Sequence, residues 1–455
     1  MNEEILLFPP MTSQPQPASM NSSLDYLEAL QDARRHTLAL IDDLNDQQLI
    51  GPRLAIVNPM LWEIGHAAWF QEYWVLRHLN QRPPILNSGD ALYDSAKVAH
   101  DTRWDLPLPS RAQTLAYMQE VLDRVTDQYQ NAKELDQQAE YFLSLALFHE
   151  DMHDEALGYT RQTLGYPKPS FAGTGRILPT ADVITSEHSR DVQIPGGRFR
   201  LGSLPDLPFV FDNEMDAHEV EVQPFAISAT AVTNSDFAGF VADNGYQRKE
   251  LWSAMGWEWR QSVNAMHPVY WQRDGRNWLR REFDLLVPLD PFLPVLHVNW
   301  YEAEAFCRWS KRRLPTEAEW EMAASCEPGV AGGAATGEPK RPFPWGDEFP
   351  TSNRANLDWR AGGCADVRAL PESASAFGCC QMIGNVWEWT ATDFNEYPGF
   401  KPGPYKEYSA PWFGDHKVLR GGCWTTRARM IHNTYRNFYK PDRRDVWAGF
   451  RTCAS

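Results

Sequence analysis

Apolar residues recur at three- and four-residue spacing over four stretches of the first 166 positions, and this period predicts four amphipathic helices. The first begins near Ser22-Ser23-Leu24-Asp25 and continues through Leu40. Asn58 as N-cap and Pro59 in the first turn open the second, which runs from Met60 to Leu76 and carries Trp62, His66, Trp69 and Tyr73 on one stripe. A third spans about Gln113 to Tyr129, and a fourth runs from about Gln138 to Leu164, stopped by Gly165 with Pro167 beyond it. Four such helices between residues 22 and 166 predict a bundle. Residues 1–21, rich in Pro, Gln and Ser, predict a disordered tail, and 167–190, rich in Pro, Gly, Ser and Thr, a linker.

From Val192 the texture changes to short β-prone pieces among many Gly, Pro and Trp, with brief helical runs at Trp300–Arg312 and Thr316–Ala324. No internal repeat of fixed period is present, and the pattern predicts a compact α+β domain over 191–455. The expected fold class is multidomain, α followed by α+β.

Composition narrows the function. A chain of 455 residues with 43% hydrophobic residues is enough for two cores. A net charge of -17, with no Lys/Arg run, argues against nucleic acid as a partner. Seven cysteines without a C-x-x-C pair fit a reduced compartment. Without a basic leader or an 18-residue apolar span, the expectation is a cytoplasmic protein with no membrane insertion.

The chemistry concentrates in Leu145–Leu157, where His149 and His153 stand four apart and project from one helical face. The letters from His149 to His153 match H-E-x-x-H, so a zinc hydrolase with Glu150 as general base has to be weighed. The metzincin extension H-x-x-G-x-x-H is missing, and Glu187 and His188 are the only nearby further ligands. Upstream, His66 alone would be one more core histidine among tryptophans. Taken with the pair, it completes a three-imidazole set that suits Zn, Cu, Fe or Ni and leaves coordination positions open.

In the second half, Leu314-Pro-Thr-Glu-Ala-Glu-Trp-Glu321, Pro344-Trp-Gly-Asp347, Gly384-Asn-Val-Trp-Glu-Trp-Thr390, Leu419-Arg-Gly-Gly-Cys-Trp424 and Gly449-Phe-Arg451 resemble, in order, the formylglycine-generating-enzyme-like domain, a fold related to C-type lectins. As residues, they predict buried Trp and Gly in a loop-rich core, with Asn385 and Glu388 tying loops together. Thr426 and Ile431 stand where that enzyme carries its copper-binding cysteines, so Cys423 is expected to pack as a small buried residue.

A DinB-like bundle with His…H-x-x-x-H fused to such a domain resembles the ergothioneine and ovothiol sulfoxide synthases (EgtB/OvoA type) over nearly the whole chain beyond residue 22. The resemblance implies a non-haem Fe(II) held by His66, His149 and His153, with O2, the imidazole betaine hercynine and a chalcogen donor as small-molecule substrates. It implies that Asn437 contacts the betaine carboxylate, that Phe438 and Tyr439 face the trimethylammonium group by cation–π attraction, and that Tyr397 gives a proton. Two letters depart from the mycobacterial pattern. Met152 stands where a glutamine touches hercynine, and Arg103 is followed by Leu106 where a second arginine would clamp the carboxylates of γ-glutamylcysteine. These departures, with Ala91–Ser95, Thr102–Pro109 and Tyr159–Tyr166, most resemble the selenoneine synthase (SenA) branch, whose donor is a selenosugar; Asp94, His100 and Asp105 could bind its hydroxyls. An ergothioneine-type sulfoxide synthase is the close alternative, and a pure binding module the non-enzymatic one.

Overall fold

The computed structural model describes residues 20, 22–173, 175, 177–179, 190–203, 209–329 and 340–455. Of the expected tail only Met20 is described, and half of the expected linker lies outside the described residues. The first half is helical: α1 (Ser23–Ala39), α2 (Asp46–Ile50), α3 (Met60–Gln71), α4 (Gly89–Tyr93), α5 (Arg111–Tyr129) and α6 (Gln137–Leu164). Local chemistry sets the ends. Ser22 with Asp25, and Ser110 with Gln113, form reciprocal capping boxes that satisfy amide donors at the helix starts. Gly165 stops α6 in the left-handed conformation, as its missing Cβ allows. Asn58 does not cap α3: its Oδ1 instead accepts from Arg103 Nη1 at 2.6 Å, a charge-assisted bond stronger than a neutral cap. Beyond Gln71 the second helix widens into π-helical turns, Glu72–Leu79, with the Glu72 carboxylate receiving Tyr117 Oη and the Ile85 amide.

The second half is α+β. Helices α7 (Asn234–Ala242), α8 (Ala254–Ser262), α9 (Trp300–Ser310) and α10 (Glu317–Ser325) accompany β1 (Asp191–Ile194), β2 (Gly197–Leu201), β3 (His218–Val222), β4 (Phe225–Ser228), β5 (Trp271–Asp274), β6 (Asn277–Glu282), β7 (Leu285–Pro288), β8 (Arg312–Arg313), β9 (Trp387–Asp393), β10 (Lys417–Arg420), β11 (Asn437–Tyr439), β12 (Ala448–Gly449) and β13 (Cys453–Ala454). One sheet has the order β1-β4-β13-β8 and another β11-β10-β9-β12, with a β2-β3 ladder and a β5-β6-β7 meander besides. Asn385 and Glu388 tie loops as expected. Asn385 accepts from the Ala365 amide and donates to the Ala365 carbonyl and Gln381, while Glu388 receives Trp320 Nε1 and two Arg451 nitrogens. Gly384, at φ +82°, starts that turn where a Cβ would lie 2.5 Å from the Asn356 carbonyl oxygen. All seven cysteines are free, and Cys423 is fully buried. Among the described residues no helix is long and apolar enough to cross a membrane.

The two halves share one hydrophobic core running from Tyr26 to Phe450, with α6 at its centre. Within it, both ring nitrogens of fully buried His36 lack partners among the described residues, and the ring packs on Phe171 and Trp359. Burial, reinforced by Arg427 and Arg429, holds its pKa well below the usual range. His36→Phe is therefore expected to stabilise the protein by roughly 1 kcal/mol at neutral pH, because two unsatisfied polar atoms leave the interior. Unfolded His36 takes up a proton below about pH 6.5 whereas the folded ring resists it, so this histidine adds a loss of stability as pH falls that the variant lacks. Urea midpoints of both proteins across that range test this; a gain that shrinks on acidification contradicts it.

Candidate metal centre

α3 and α6 face each other, and the stripe 152, 153, 156, 159 of α6 is half-buried between fully buried neighbours, so it borders open space. At the head of that stripe the ligand atoms of His66, His149 and His153 lie within 4.8 Å of one another. Two of the rings are oriented from behind. His66 Nδ1 meets the Tyr93 carbonyl oxygen at 2.7 Å, and His153 Nδ1 meets Glu63 Oε1 at 2.8 Å. A neutral imidazole donating from Nδ1 keeps its lone pair on Nε2, facing the centre. Gly65 makes the first contact possible, since a Cβ there would stand 2.5 Å from the Tyr93 ring. His149 is fixed by stacking instead, with its ring 3.5 Å from Phe70 and nearly parallel to it, and its buried Nδ1 has no partner among the described residues. Burial depresses the pKa of His66 and of His149 well below the usual value, with His153 next to both as a further cause. These rings are therefore neutral donors at pH 7, which is what a divalent metal requires.

Glu63 is the residue the sequence reasoning missed. An acid three places before His66 on an otherwise apolar helix was the available signal. Glu63→Gln is expected to weaken metal affinity about 10- to 100-fold, the usual effect of losing a carboxylate behind a ligating histidine. Direct titration of the metal-free protein measures it, and an unchanged dissociation constant would sink the assignment.

Glu150 does not face the cluster. Arg34 Nε and Thr37 Oγ1 of α1 hold its Oε1 at 2.7 and 2.9 Å, so the residue that a zinc hydrolase would need as a base is a structural anion. Arg103 does approach the site. Its guanidinium lies 3.9 Å over Trp62, whose ring stacks on His66 at 4.8 Å. Met152 meets Tyr408 Oη at 3.7 Å and Tyr435 Oη at 3.5 Å, and these hydroxyls are 3.3 Å apart.

Tyr397 lies elsewhere. It belongs to the smaller core around Trp320, with Arg436 4.0 Å over its ring and His218 at its edge. The tyrosine beside the histidines is Tyr405, whose ring is 6.0 Å from His149 and 4.9 Å from Phe70; burial pushes its pKa up to about 12. Of the β11 residues, Phe438 stacks on Phe394 at 4.0 Å and abuts Tyr408, while Tyr439 lies beneath Arg443 at 5.3 Å. Asn437 turns its Oδ1 to the Phe438 amide. Asp105 is an exposed partner of Arg53, and His100 Nε2 meets the Val57 carbonyl oxygen. Thr426, at one expected cysteine position, donates to Glu155 of α6 at 2.7 Å.

Residues 29–157 match the DinB superfamily, and residues 180–455 match the sulfatase-modifying factor enzyme 1-like domain. Over 92% of this chain and 92% of its own length, the hercynine oxygenase of Mycolicibacterium thermoresistibile is 37% identical. That of Mycobacterium tuberculosis is 36% identical over 92% of this chain and 96% of its own. A formylglycine-generating enzyme from Streptomyces coelicolor is 30% identical over 59% of this chain, covering 88% of that enzyme.

Proposed function

The chain belongs to the hercynine oxygenase family, and from that premise we propose that it is an O2-dependent non-haem Fe(II) oxidoreductase that joins a chalcogen to the imidazole carbon of hercynine. The observation that carries this reading is the set of three converging imidazoles, two of them oriented through Nδ1, at the head of the half-buried stripe of α6 beside Phe70 and Tyr405. Nitrogen donors with open positions suit iron. When bound, Fe(II) supplies one-electron chemistry with O2 and a template that turns an encounter of three reactants into a local event. Overall, one C–H and one chalcogen–H bond are lost and a carbon–chalcogen bond forms; one oxygen atom of O2 ends on the chalcogen as its oxide, and the other leaves as water with the two hydrogens, which accounts for all four electrons.

The chain's own residues do the rest. His66, His149 and His153 hold the metal. Asn437, Phe438 and Tyr439 on β11 are the proposed contacts of the betaine, with aromatic faces for the trimethylammonium group. For the proton donor, Tyr405 replaces Tyr397 in this proposal: its raised pKa keeps the phenol protonated beside the histidines. The donor reading leans to a selenosugar. Arg103 is the single basic fork of its segment, and one arm is committed to Asn58 while the plane covers Trp62. Leu106 adds no second fork, so a dicarboxylate peptide lacks a matched partner. Met152, a soft thioether beside two tyrosine hydroxyls, stands on the same half-buried stripe of α6 as His153. The sulfur reading, with γ-glutamylcysteine or cysteine as donor, is the alternative. A competition assay with Fe(II), O2, hercynine and equal amounts of γ-glutamylcysteine, cysteine and a 1-seleno-sugar decides between them. Preferred consumption of the selenosugar is expected, and efficient turnover of γ-glutamylcysteine alone overturns the donor assignment.

A further inference from the structure

Beneath α6, about two turns past His153, lies a small internal cavity of about 20 Å³ between the catalytic helix and the second domain. Gln162 of α6 forms one wall, and Arg280, His297, Trp424 and Trp447 form much of the rest. These last four side chains are all more than nine-tenths buried. Their rings crowd together, with Trp447 4.9 Å from Trp424 and 4.8 Å from His297. Arg280 Nη1, Trp424 Nε1 and Trp447 Nε1 are all buried without a partner among the described residues, and so is His297 Nδ1. Three unmet N–H donors bordering one cavity are costly in a native interior unless something accepts from them.

Charge points the same way. Arg280 bonds Glu282 through Nη2 at 2.9 Å, and Lys168 approaches the same carboxylate at 3.8 Å. Every hydrogen bond that the Arg281 guanidinium makes among the described residues ends on a backbone carbonyl: Gln162, Thr163 or Phe283. Arg280 and Lys168 therefore share the one carboxylate of the cavity wall, Glu282, while the Arg281 guanidinium on the same wall has no carboxylate partner among the described residues. A water molecule accepts two hydrogen bonds, one fewer than the three unmet donors, and so leaves one of them unsatisfied. A monovalent anion accepts from all three donors and offsets the surplus charge. We propose that this cavity is a binding site for a monovalent anion of chloride size, coordinated by Arg280 Nη1 and the indole N–H groups of Trp424 and Trp447. It pins α6 to the second domain on the side away from the iron ligands.

Crystals of the full chain grown or soaked in bromide test this directly, paired with melting temperatures in chloride and in gluconate at equal ionic strength. We expect an anomalous bromide peak between Arg280 Nη1 and the two indole nitrogens, and a higher melting temperature in chloride. In Trp447→Phe, which keeps a ring and removes one donor, that chloride advantage shrinks; Arg280→Gln, if folded, abolishes it. Density without anomalous signal means water and overturns the proposal. A bromide peak with no chloride-dependent stability means an adventitious ion only and overturns it as well, as does an advantage that the Trp447 variant retains in full.

Discussion

Alanine at His149 is expected to bring both bound metal and hercynine turnover to background while the chain still folds. The His149 ring is buried, stacks on Phe70 and has no hydrogen-bond partner at Nδ1 among the described residues, so truncation leaves a cavity but orphans no buried polar partner there. That cavity costs a few kcal/mol, about what a large-to-small core change costs, spread over a domain with an extensive shared core. The metal loses far more: two imidazoles cannot replace three, and among the described residues no carboxylate stands in, since Glu63 is behind His153 and Glu150 is held by Arg34. Metal per chain after anaerobic loading, read beside far-ultraviolet circular dichroism, separates loss of the site from loss of the fold. Full metal content in a folded His149→Ala protein would remove this residue from the ligand set.

The long helices were legible because their apolar period and their stop signals, such as Gly165, act locally. The α and α+β organisation followed from the change in texture near residue 191 and from the Trp- and Gly-rich motifs. Short elements such as α2, α4 and the β5-β6-β7 meander were missed, being too brief for a period to register. The three histidines could be grouped because two sit on one helical face and the third on a facing helix. Their orientation could not, because it depends on the Tyr93 carbonyl and on Glu63 across the bundle. Tyr397 and Tyr405 illustrate the same limit. Both lie in one irregular aromatic segment, where no periodicity tells which ring points to α6 and which packs beneath Arg436.

The charged letters of α6 raise the deepest version of that problem, because Glu150, Asp151, Asp154 and Glu155 are all buried in a helix that reads as apolar. Their partners are remote. Arg429 grips both oxygens of Asp151 at 2.7 and 2.8 Å and reaches Asp32 of α1 at 2.8 Å, and Arg427 also contacts Asp32. Burial alone would raise the pKa of Asp32, but the two arginines outweigh it and hold the carboxyl below its usual value. Arg429→Ala is therefore expected to cost about 3–5 kcal/mol, since it strands buried carboxylates instead of removing an isolated contact. Asp151→Leu combined with Arg429→Met should cost less than the two single changes summed, because charge and counter-charge leave together. Urea unfolding of the four proteins measures this, and a single-variant loss below about 1 kcal/mol would reduce the pair to the worth of an exposed salt bridge. Metal affinity should fall with stability in Arg429→Ala. Asp151 stands between His149 and His153, so the ion pair that docks the second domain also sets how α6 presents its ligands.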